Sequence, residues 1–150
     1  MMKKDNINNR ILHELTDNAR ISNLELAESV GLSPSACLRR VQEMARSGVI
    51  KNYRAILDQT ALGRDFTAYV AIGLSDHSKK SQESFERAIR KAPDVRECHN
   101  ITGTFEYLLR VEVANLEAYK AFHSKVLGGL SQVNTITTFV VIDSPKDERG

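Results

Sequence analysis

The sequence predicts an α+β protein, an N-terminal winged helix-turn-helix joined to a C-terminal ferredoxin-like βαββαβ domain, and three observations predict it. Two helix-start signals follow one another across a glycine within the first fifty residues. After Arg64 the spacing of apolar residues changes from helical to alternating, the mark of a passage from helices to strands. A strand–helix–strand order can then be read twice, the plan of a four-stranded antiparallel sheet with both helices on one face. The expected organisation is residues 1–64 as the helix-turn-helix with its linker strand, 65–143 as the α+β domain, and 144–150 as a loose polar tail.

The first helix is read from Ile7, Ile11, Leu12 and Leu15, one apolar stripe at helical spacing, with Asp5 as its cap. Ser22-Asn23-Leu24-Glu25 is a capping box that starts the second helix. Leu24, Ala27 and Val30 are expected on its inner face, and Gly31 is placed to end it in a left-handed conformation. Ser33-Pro34 opens a third helix, a cap residue followed by proline at the first helical position, where its missing N–H costs nothing. Cys37, Val41 and Met44 lie at i, i+4 and i+7 and face inward, which turns Ser35, Arg39 and Gln42 outward. After Gly48, Val49 to Leu57 reads as an extended wing.

Two short helices joined by a tight glycine turn, the second with outward Arg and Gln, form a helix-turn-helix, the usual reader of double-stranded DNA. Ser33, Ser35 and Ala36 are small enough to let the helix start approach phosphates. Arg39, Arg40 and Gln42 are candidates for base edges, although Arg40 adjoins inward Val41. Arg20, Lys51 and Arg54 are candidates for phosphate contact. A plain helical bundle with solvated arginines has the same local signals.

In the second part, Phe66 to Leu74 alternates as a strand, Phe85, Ala88, Ile89 and Ala92 mark a helix, and Val95 to Ile101 is extended. Phe105 to Val113 alternates again, Asn115 caps a helix carrying Leu116, Tyr119, Phe122 and Val126, Gly128 ends it, and Val133 to Ile142 is the last strand. These strands are apolar at both parities, as in Tyr69 beside Val70 and Phe139 beside Val140. Two helices cover one side of such a sheet, so the other side is expected to meet a second copy in a two-fold dimer.

Composition narrows the function classes. Net charge is +2, with ten Lys or Arg against seven Asp or Glu through Arg64 and eleven against twelve beyond it, so the basic excess sits with the helix-turn-helix. Cys37 and Cys98 have no C-x-x-C neighbour, and His13, His77, His99 and His123 lack metal-ligand spacing, so neither a disulfide framework nor a metal site is expected. No nucleophile-elbow, dinucleotide or Walker pattern occurs, and an enzyme is not expected. The polar start MMKKDNINNR and the lack of a long apolar run imply a cytoplasmic protein without a membrane partner.

The chain resembles the Lrp/AsnC family of regulators. The likeness rests on Asp5 through Leu15 with Asn18-Ala19-Arg20-Ile21-Ser22 after it, on Glu25-Leu26-Ala27, on Val30-Gly31-Leu32-Ser33-Pro34-Ser35 running to Arg40-Val41, and on Ser47-Gly48-Val49-Ile50. In the second part it rests on Thr102-Gly103 followed by Tyr107-Leu108-Leu109 and Val111. It implies a regulator of transcription whose dimers often assemble further, commonly to octamers, and whose effector is usually a free amino acid, with no other cofactor. Carried over by position, it points to Thr102, Gly103, Thr104 and Glu106 for the effector, in a pocket between C-terminal domains where dimers meet, with Thr138 and Val140 lining the site. The chain departs from the family at Glu106, where Asp is usual. By itself, Thr-Gly between two strands is a hairpin turn and Glu106 an edge charge.

Overall fold

The stripe that begins at Ile7 folds as α1, Asn6–Asp17, with Ile11 wholly buried. In the computed structural model, residues 6–149 are described, so the cap assigned to Asp5 lies outside the described residues. Helix α2 is Asn23–Val30 and α3 is Pro34–Arg46. Their core is Ile11, Leu26, Ala27, Val30, Cys37 and Met44. Leu24 is a correction: it is 59% exposed, and Leu26 takes the inner place. Two residues along a helix are a rotation of about 200°, so Leu24 stands nearly opposite Leu26.

Beyond α3, Gly48 adopts φ +84° and Ile50 N–H returns to Met44 O at 3.0 Å. The expected extended wing has no ladder: Lys51 to Leu57 pairs with no strand among the described residues.

The second unit follows the βαββαβ plan. Strand β1, Phe66–Leu74, leads to α4, Lys79–Arg90, and β2, Val95–Asn100. Strand β3, Tyr107–Val113, leads to α5, Leu116–Phe122, and β4, Val133–Val140. The sheet order is β2-β3-β1-β4, all antiparallel. Val70, Ile72, Tyr107 and Leu109 face Phe85 and Ile89 of α4 and Tyr119 and Phe122 of α5 in one core. The alternate residues Tyr69, Ala71, Leu108 and Phe139 share the other face, and Phe139 is 55% exposed.

A π-helical turn, His123–Leu127, extends α5, closed by Gly128 N–H to His123 O at 2.9 Å. The wider turn adds one residue to the period, so Leu127 is buried and Val126, expected inside, is half-buried. Leu116 is likewise 65% exposed.

The chain divides into Met1–Ala55 and Ile56–Gly150, earlier than the break expected after Arg64. The connector coils on itself, with Arg64 N–H to Gln59 O at 2.8 Å and Ala61 N–H to Asp58 Oδ1 at 3.2 Å. Leu57 to Gln59 border the same hollow as Thr67, Tyr69 and Arg110. The tail is also corrected. Arg149 reaches both carboxylate oxygens of Glu97 at 2.9 Å and the Tyr69 hydroxyl at 3.0 Å, so it is bound to the sheet's helix-free face rather than loose.

Candidate functional site

In the first unit, the turn between α2 and α3 is built from local bonds. Ser22 Oγ accepts Glu25 N–H at 3.1 Å, and Ser33 Oγ accepts Ala36 N–H at 3.3 Å. Gly31 sits at φ +73°, and Leu32 N–H closes the end of α2 on Ala27 O at 2.9 Å, a Schellman closure. Asn23 Nδ2 donates to Pro34 O at 2.8 Å and ties the two helix starts together.

That frame aims one row of α3 at solvent. Ser35, Arg39 and Gln42 are all exposed, as are Ser33, Arg20, Lys51 and Arg54. Arg46 continues the row one turn on and was not singled out from sequence; it is spent on an ion pair with Glu43. Among the described residues Arg39 has no hydrogen-bond or ion-pair partner, so its guanidinium donors face solvent. Ala36 is half-buried. Arg40 departs from expectation: it is half-buried and donates to Asn8 Oδ1 of α1 at 3.1 Å, because its position turns beside inward Val41.

The second unit holds a carboxylate cradle at one end of the sheet. The loop joining β2 to β3 exposes Thr102, Gly103 and Thr104, with Gly103 at φ +116°, where a side chain would be strained. Ile101 N–H and Asn100 Nδ2 both donate to Glu106 O, at 2.9 and 3.2 Å, and close the loop. The Glu106 side chain is 16% exposed. Its Oε2 accepts Leu74 N–H at 2.9 Å, and its Oε1 lies 2.9 Å from His77 Nδ1. Leu74 N–H is available because the β1–β4 register slips between Gly73 and Leu74.

Thr138 and Val140 do not join this cradle. They pair with Val70 and Ala68 and therefore lie on the helix-covered face, where Thr138 Oγ1 bonds the Tyr119 hydroxyl. Glu106 stands beside Gly73 and Thr135 instead: a β-carbon at Gly73 would lie 2.2 Å from Thr135 Oγ1 and 3.6 Å from Glu106 Oε2. Sequence reasoning missed His77, the Leu74 amide and Thr135. A glycine inside a strand was the available signal, since it marks a bulge or a close approach.

Towards the β2–β3 side the helix-free face is charged. Arg110 donates to Glu97 at 2.8 Å and pairs with Glu112, which is 5% exposed. Burial alone would raise the Glu97 carboxyl, but Arg110 and Arg149 together hold it below the usual carboxylate range. On the opposite face burial pushes the Cys98 thiol up to about 11, a protonated and poorly nucleophilic group. Among the described residues no cluster of His, Cys, Asp and Glu could hold a metal ion, and no helix is long and apolar enough to cross a membrane.

A helix-turn-helix with a bare recognition face, followed by an α+β domain with a polar cradle, defines a DNA-binding regulator that carries a ligand-binding domain. Comparison with known proteins agrees. Residues 4–51 match the family described as winged helix-turn-helix DNA-binding, and residues 67–150 match the Lrp/AsnC ligand binding domain. The chain is 38% identical to the leucine-responsive regulatory protein of Escherichia coli over 142 residues, covering 95% of this chain and 87% of that one. It is 36% identical to the proline dehydrogenase transcriptional activator of Rhizobium radiobacter, covering 95% and 92%. A transcriptional regulator from Neisseria meningitidis, solved as a complex with L-Met, superposes with a TM-score of 0.92 at 30% identity, covering 97% and 94%. The chain belongs to the Lrp/AsnC family and is a DNA-binding regulator of transcription.

Proposed function

We propose that this regulator acts in the cytoplasm as a homo-oligomer, reads a two-fold DNA site through α3, and is modulated by a free amino acid held at the Glu106 cradle. The solvent-facing row of Ser35, Arg39 and Gln42 carries the DNA reading. A planar guanidinium with no partner among the described residues offers two parallel donors to a guanine edge, and glutamine offers a donor and an acceptor to adenine. Ser33 and Ser35 lie at the helix start, where free amides favour a phosphate; Arg20, Lys51 and Arg54 supply further phosphate contacts.

Pairing is supported by the helix-free sheet face, where Tyr69, Ala71, Leu108, Phe139 and Val141 form an apolar surface that a second copy would cover. A two-fold axis there presents two recognition helices to a palindromic site, and further assembly to an octamer is the family's habit. For the effector, Glu106 matches an ammonium, and the loop around Gly103 offers backbone amides to a carboxylate. The relative solved with L-Met and the relatives named leucine-responsive make a free amino acid the chemistry of choice.

Fluorescence anisotropy on a selected duplex and a scrambled one, each titrated with salt, tests the reading. Arg39→Ala should cost about 1–3 kcal/mol on the selected duplex only, whereas Lys51→Ala should weaken both and lower the salt slope by about one. Equal affinity of the native chain for both duplexes would refute sequence reading.

A further inference from the structure

We infer that His77 is a resident occupant of the Glu106 cradle, a side-chain plug that a ligand ammonium must displace. The inference rests on the effector reading above and adds to it a residue.

Glu106 is anchored on one side and contested on the other. Its Oε2 is fixed by the Leu74 amide at 2.9 Å, a backbone group that cannot leave without undoing the end of β1. Its Oε1 is the oxygen left for a ligand, and His77 Nδ1 stands 2.9 Å from it. The two partners differ in how firmly they are held. The carboxylate is 16% exposed, whereas the His77 side chain is 76% exposed on the short connection between β1 and α4. A solvent-exposed imidazole on an anchored carboxylate is a contact that an incoming cation can replace without disturbing the sheet.

The neighbourhood defines the charge balance. Asp76 and Glu106 are the acidic groups facing His77. Asp76 is committed locally: its carboxylate accepts Ser78 N–H at 2.9 Å and Ser78 Oγ–H at 2.8 Å, at the cap of α4. Glu106 is therefore the acceptor over which imidazole and ammonium compete.

A thermal-shift panel of the twenty L-amino acids on the native chain and His77→Ala identifies the binder, and calorimetric titration measures it on the native chain, His77→Ala and His77→Gln. His77→Ala should bind about two- to fivefold more tightly, the scale of an exposed polar pair. His77→Gln, which keeps a polar side chain within reach of the carboxylate, should gain less. Binding seen only with His77→Ala would also support the plug. Equal affinity of the native chain and His77→Ala would overturn it while leaving the effector reading intact. If no amino acid stabilises either protein, the effector reading fails and the plug with it.

Discussion

Arg39 and Arg40 are adjacent, of one type, and opposite in fate. A rotation of about 100° along α3 leaves Arg39 in solvent, with no partner among the described residues, and brings Arg40 against Asn8 of α1. The outward position of Arg39 was legible because Cys37 and Met44 fix the inner face by spacing alone; the Asn8 contact was not, because it depends on how two helices pack. Charge at Arg110 has a different use. It neutralises Glu97 and the nearly buried Glu112, so Arg110→Gln should cost about 3 kcal/mol at neutral pH, the low end for breaking a buried pair. Glu97 titrates below its unfolded value, so its share of stability is present above about pH 4.3, the reference for unfolded glutamate, and is lost as pH falls through the folded value. Urea unfolding of both proteins from pH 7 to pH 3 should therefore show the gap narrowing on the acid side.

At the scale of elements, boundaries set by local chemistry were readable and those set by packing were not. Ser22, Ser33 and Asn115 cap their helices as their spacing foretold, each accepting the amide three residues on. The π-helical turn had no such signal, since only the fit of Leu127 against the sheet core decides where the extra residue goes. The Glu106 cradle was half legible: Thr102, Gly103 and Glu106 share a loop, but parity had to be counted from a register the sequence does not contain, and Thr138 fell on the wrong face. Two glycines separate backbone strain from crowding. Gly31→Ala meets nothing within 4 Å and should cost about 1–2 kcal/mol for its left-handed backbone alone. Gly73→Ala drives a methyl to 2.2 Å from Thr135 Oγ1, so thermal melts should show a larger loss in that variant, accompanied by weaker effector binding as the Leu74–Glu106 bond shifts.

For the whole molecule, the proposed pairing rests on the helix-free face of the sheet. The two-layer plan and its need for cover were evident from strands apolar at both parities, whereas the unpaired linker and the docking of Arg149 were not, because both depend on contacts remote in sequence. Phe139→Glu places a charge amid the apolar part of the helix-free face and should shift the protein to monomers in sedimentation velocity. Duplex affinity should fall with it, since one half-site then binds alone. In the proposed dimer, a surface completed by a second copy would also make the regulator's own abundance an input to its output. Stability gained by association rises with protomer concentration, so with such pairing the control of its genes would strengthen as synthesis passes the association threshold.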